Sequence, residues 1–159
     1  MTTTIDTGLT KTERTDVARE LTKVLADSFA VYLKTHGYHW NVRGPEFFSL
    51  HTLLEQQYRE IWEALDTIAE RIRALGEFAP QGYATFANLT SIKDGDAEQD
   101  APAMLKELMK DHETLIATAR SALKAAEGEG DDVSVDLLTV RLAEHEKAAW
   151  MLRATLGSR

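Results

Sequence analysis

The stretch His36–Gly76, HGYHWNVRGPEFFSLHTLLEQQYREIWEALDTIAERIRALG, decides the architecture. Near its start lies a break, Asn41-Val42-Arg43-Gly44-Pro45, and helical patterning runs away from it in both directions. Upstream, Val17, Leu21, Val24, Leu25, Ser28, Phe29, Tyr32 and His36 recur at spacings of three and four, which is one face of a helix. A Thr10/Glu13 capping box opens that helix, and it is predicted to run to about Trp40. Downstream, Pro45 suits the first turn of a second helix, where a missing N–H costs nothing. This helix carries Phe48, His51, Leu54, Glu55, Tyr58, Ile61, Trp62, Leu65, Ile68, Ala69 and Ile72, and stops at Gly76. Glycine there takes the left-handed conformation that closes a helix.

Outside this stretch the pattern repeats with a longer gap. Residues 77–100 are mixed, with a short helix predicted in YATFANLTSI between loop-like flanks. A third long helix starts near Asp100 and Pro102 and fades at Glu127-Gly128; a fourth opens after EGDD and runs to Gly157. Four long helices, with short turns after the first and third and one long link between the second and third, describe an all-α, ferritin-like four-helix bundle with a short extra helix in the link. A length of 159 residues fits a single domain over 1–159, with short tails at 1–10 and 157–159.

Composition narrows the function classes. The 43% hydrophobic and 28% charged residues are those of a globular chain. With no cysteine, a disulfide scaffold, a thiolate zinc site and a cysteine nucleophile are all excluded. MTTTIDTGLT lacks the basic start and apolar run of a signal peptide, and no apolar run reaches the roughly 18 residues of a membrane span, so a cytoplasmic protein is expected. A net charge of −8 is a poor beginning for a nucleic-acid binder.

Imidazoles and carboxylates are the ligands of iron-type metals, and His39, His51, Asp66 and Glu70 stand out on shared faces. Asp66 and Glu70 are four apart and so adjacent on one helix surface. His51 and Asp66, fifteen apart, point within about 60° of each other but lie roughly 22 Å apart along the axis. One subunit cannot close a site with both. Two copies of the second helix, antiparallel and crossing near Tyr58-Arg59, place His51 of one chain opposite Asp66 of the other, and a two-fold axis repeats the contact. His39 then meets His51 across the turn. Taken singly, such histidines are ordinarily packing residues, and Asp66 and Glu70 beside Arg71 and Arg73 would ordinarily form a solvated ion-pair face. The joint arrangement points to a metal site.

The strings HWNVRGPEFF and DTIAER, with a histidine twelve residues after His39, resemble the signature of the Dps family, the DNA-binding proteins from starved cells or mini-ferritins. The resemblance implies an inter-subunit ferroxidase site of His39 and His51 from one subunit with Asp66 and Glu70 from its two-fold neighbour. It further implies that Glu55 assists a second, weaker iron and that Trp40 lies beside the site, where it takes up oxidising equivalents. The implied activity is oxidation of Fe(II), with hydrogen peroxide preferred over dioxygen, and storage of ferric mineral in a hollow dodecamer, protecting against oxidative stress. Ordinary ferritins place both irons inside one bundle with Glu-x-x-His pairs, and this sequence contains no such pair.

Other features divide between structural and functional readings. Glu129, Asp131, Asp132 and Asp136 suit helix capping and dipole complementation. The resemblance instead matches Asp132 and Asp136 to acidic residues lining three-fold pores that admit iron. His36 is a candidate accessory ligand, while His112 and His145 read as bundle-packing or surface residues and Trp62 and Trp150 as core or interface residues. Direct DNA binding is the least supported family trait, because MTTTIDTGLTKTER sets Lys11 and Arg14 against Asp6 and Glu13, and the far end adds only Arg159. A nucleoid-associated DNA-packaging protein with a secondary metal site is the alternative reading.

Overall fold

A computed structural model describes residues 4–157. The expectations for Met1 and for Arg159 therefore lie outside the described residues, as do the outermost parts of both tails. Five helices follow in order: α1 (Lys11–Asn41), α2 (Phe47–Ala74), the short α3 (Tyr83–Leu89), α4 (Ala101–Gly128) and α5 (Asp132–Thr155). Among the described residues there is no strand, and no helix is long and apolar enough to cross a membrane.

Local chemistry fixes the ends. The Glu13 N–H donates to the Thr10 hydroxyl, and the Glu13 carboxylate accepts from the Thr10 N–H, so the capping box forms as predicted. At the end of α2, Gly76 adopts φ 101°, letting the Gly76 and Glu77 N–H groups reach back to Arg73 and Ile72. That doubly bonded closure needs a left-handed residue. Pro45 departs from expectation. It sits before α2, in a turn closed by the Phe47 N–H on the Gly44 carbonyl at 3.0 Å, and Glu46 becomes the N-cap. Its locked φ is used at the first central position of a β-turn, where proline is equally at home. The segment before α1 is anchored: Leu9 packs on the core and its carbonyl accepts from Arg14.

Cross-helix pairs give the topology. Asp27 with Thr118, Lys34 with Asp111 and Tyr38 with Glu107 run in opposite senses along α1 and α4. Arg71 with Asp131 and Glu60 with Arg141 do the same for α2 and α5. With α1 and α2 also antiparallel across their short turn, α2 and α4 are parallel, so the link between them must return along a bundle about 40 Å long. Asp27, buried in α1, pins that link at mid-course by accepting from the Thr90 and Ser91 hydroxyls and the Ser91 N–H. Stacking of Phe86 on Phe29, centroids 4.5 Å apart, seats α3 on α1. The core runs from Val17, Leu21, Ile68 and Leu138 at one end to Leu54, Leu108 and Leu152 at the other.

Candidate metal centre

His39 ends α1 and His51 begins the second turn of α2, so the Val42–Glu46 connection sets their separation. The rings stack with centroids 3.7 Å apart and planes 17° apart. Each Nδ1 lies against the other residue's main-chain carbonyl, His39 to His51 at 2.7 Å and His51 to His39 at 2.8 Å. A carbonyl only accepts, so both Nδ1 atoms carry the proton. This leaves Nε2 of each ring as the atom that can ligate a metal, with the ring oriented by its Nδ1 bond.

Glu55 stands one turn beyond His51 and is turned toward Arg59, whose Nε donates to it at 2.8 Å. This guanidinium holds the Glu55 carboxyl below the usual carboxylate range against a little desolvation, and the nearby His39 and His51 rings act in the same direction. Phe47 flanks His51 at 5.0 Å. On the other side His36 stacks on Tyr58 at 3.8 Å, with its Nδ1 3.1 Å from the Tyr32 hydroxyl. Burial, the His39 ring and Arg59 lower its pKa, opposed by Glu55. His36 is thus committed to its aromatic neighbours in this arrangement. Trp40 lies over His36 at 4.3 Å and is 62% exposed.

Asp66 and Glu70 share an exposed face farther along the same unbroken helix, about 22 Å from His51 by helix rise. Within one chain the described residues gather no three His, Asp or Glu side chains into a metal cluster. The chain brings His39, His51 and Glu55 into one neighbourhood and holds Asp66 and Glu70 apart from them. Beside Asp66 opens a groove of about 510 Å³, lined by Trp62, Leu65, Ala69, Pro80 and Phe86. Asp132 and Asp136 are exposed on the first turns of α5. Capping falls to Asp131 instead: buried, it accepts from the Ser134 N–H and pairs with Arg71 at 2.7 Å. Burial raises its carboxyl, but Arg71 and Ser134 outweigh that and hold it low.

Sequence reasoning overlooked Arg59 and Tyr58 as site neighbours. Arg59 was findable, because a Glu and an Arg four apart on a helix meet. The stacking of Tyr58 on His36 required the packing of α1 on α2. His112 and His145 are both buried, not surface residues, and meet through their Nδ1 atoms across α4 and α5. Trp62 and Trp150 are about 60% exposed, so they are not core residues of the single chain.

The ferritin-like domain family matches residues 18–158. The DNA protection during starvation protein 2 of Bacillus anthracis is 36% identical over 141 residues, covering 89% of this chain and 97% of that one. A low temperature-induced protein of Nostoc is 40% identical over 153 residues, or 94% of this chain and 85% of the relative. The Dps structure from Vibrio cholerae, described as a member of a broad superfamily of ferritin-like diiron-carboxylate proteins, superposes with a TM-score of 0.92 at 30% identity, covering 98% of this chain and 99% of that one. The chain belongs to the Dps family. Its bundle, with α3 in the long link, is the ferritin-like fold expected from the sequence.

Proposed function

We propose that this Dps-family chain oxidises Fe(II) at centres shared between two subunits. In each, His39 and His51 of one subunit face Asp66 and Glu70 of its two-fold neighbour. The supporting observation is the reciprocal pair of hydrogen bonds that engages Nδ1 of both His39 and His51 and leaves Nε2 of each available to a metal, while among the described residues no cluster of three His, Asp or Glu side chains completes a coordination shell within the chain. An antiparallel copy of α2 supplies that pair. The same register sets exposed Phe48 opposite Ala69, beside the groove that lines Asp66, and Glu55 opposite Trp62. Phe48 and Trp62 are 80% and 58% exposed in the single chain, a surface that favours burial by a partner.

Iron is here substrate and cargo. Neutral imidazoles and carboxylates hold Fe(II), with Glu55 favouring the second ion once it swings from Arg59. Two Fe(II) ions supply together the two electrons that reduce one hydrogen peroxide to water, so a one-electron product is avoided. Trp40, exposed and lying over His36, takes up a stray oxidising equivalent. Ferric product then accumulates as mineral inside a dodecamer, with Asp132 and Asp136 lining pores that draw cations in; the net charge of −8 on every chain favours iron over nucleic acid. Such a protein would protect the cytoplasm from peroxide stress.

The test is Fe(II) oxidation with stoichiometric hydrogen peroxide. His51→Ala, Asp66→Ala and Glu70→Ala are each expected to lose at least ~10-fold in initial rate, with two Fe(II) consumed per peroxide in the wild type. An Asp66→Ala protein that oxidises iron at the wild-type rate would remove the carboxylate half of the site.

A further inference from the structure

Between α2 and α5, outside the candidate metal centre, lies a cavity of about 270 Å³ that holds unsatisfied polar groups. Its lining includes Leu53, Gln57 and Ile61 of α2, His112 of α4, and Ala148 and Met151 of α5. His112 is fully buried and Gln57 is 7% exposed. Among the described residues nothing pairs with His112 Nε2 or with either end of the Gln57 amide. Buried polar atoms are otherwise nearly always satisfied, so two such side chains on one cavity point to a missing ligand.

The hydrogen-bond chain behind them fixes what that ligand offers. Glu60 accepts from Arg141, and Arg141 in turn contacts His145 Nε2 at 3.3 Å. A guanidinium only donates, so His145 Nε2 accepts and the neutral ring carries its proton on Nδ1. That proton points along the 3.1 Å contact to His112 Nδ1, which must accept it. The His112 proton then sits on Nε2, the unpaired atom. Burial, and the charge of Arg141, keep both rings neutral. The cavity thus has a polar floor, made of one imidazole N–H donor and a carboxamide that both donates and accepts, and an aliphatic surface of Leu53, Ile61, Ala148 and Met151, with Gln56, Glu60, Glu144 and Lys147 completing the lining.

We propose that this cavity is a second binding site, which takes a small uncharged hydroxyl compound of one aromatic ring. Its oxygen accepts from His112 Nε2–H and its proton goes to Gln57 Oε1, while the ring packs on the aliphatic walls. An engineered apolar cavity of about 150 Å³ already holds benzene, so the volume suffices for one substituted ring. The site stands or falls independently of the iron reading, since none of its residues belongs to that centre.

Phenol and toluene are the probes, titrated by equilibrium dialysis into the assembled full-length protein. Phenol is expected to saturate at one per chain and to bind at least ~10-fold more tightly than toluene, which fills the walls but leaves the floor unpaired. Gln57→Leu should level the two ligands to within about 3-fold, and Ala148→Phe, which fills the cavity, should abolish saturable binding of both. Absence of saturable phenol binding, meaning that the floor holds water only, overturns the proposal. So does equal binding of phenol and toluene by the wild type, or undiminished phenol binding by Ala148→Phe. The wild-type comparison is decisive even where a variant fails to fold.

Discussion

The four imidazoles of two histidine pairs differ in what their Nδ1 atoms meet. His39 and His51 each give that proton to a main-chain carbonyl, which orients both rings without using Nε2. His112 and His145 give and take a single proton between their Nδ1 atoms, inside a core that excludes water. Burial pushes the His112 pKa down to about 4, and His145 moves in the same direction. In the unfolded chain both take up protons as the pH falls through about 6.5. The folded form does not, so stability is complete above about 6.5 and is lost progressively down to about 4. The His112 share of that loss is about 3 kcal/mol. Denaturant unfolding at a series of pH values should show this slope, and His112→Gln, which does not titrate there, should flatten it. A wild-type stability independent of pH between 7 and 4.5 would contradict the buried neutral pair.

Among the elements, the end of α2 and the start of α5 depend on one carboxylate. Asp131 caps α5 through Ser134 and neutralises Arg71 of α2. Asp131→Ala removes the cap and strands a half-buried guanidinium, which should cost about 2–3 kcal/mol in unfolding experiments. Asp131→Asn retains a capping oxygen and should cost about half as much; no loss in Asp131→Asn would mean that the ion pair contributes nothing. Element ends of this kind were largely legible. Thr10 with Glu13 and the glycine at 76 carry their signals within a few residues, and the helices they bound were read within a residue or two. Pro45 was misplaced by two residues because its fixed φ suits a β-turn and a first helical turn equally. At the candidate site, residue type and spacing singled out His39, His51, Asp66 and Glu70. The reciprocal carbonyl bonds were not legible, because they exist only once the turn folds α1 back on α2. Nor was the polar floor at Gln57 and His112 foreseen, since a histidine on an apolar stripe looks the same in sequence whether its ring is satisfied or not.

For the whole molecule, a single chain leaves Trp40, Phe48, Trp62 and Trp150 exposed, and on α2 residues from Phe48 through Arg59 to Glu70 form an outward, exposed stripe. On the proposed reading, a second copy covers that stripe, and assembly and chemistry fail together when it is charged. Trp62→Glu should keep the helical content seen by circular dichroism yet shift the sedimenting species toward the monomer and abolish rapid iron oxidation. An assembled Trp62→Glu protein would place the interface elsewhere. The most direct test of a shared centre mixes His51→Ala and Asp66→Ala chains before assembly. Each variant alone lacks a complete site. In a mixed two-fold dimer one site carries both lesions and the other is intact. With random pairing, a shared centre should restore about a quarter of the wild-type rate of Fe(II) oxidation by peroxide. Mixed dimers demonstrated by mass spectrometry but no more active than their parents would contradict it.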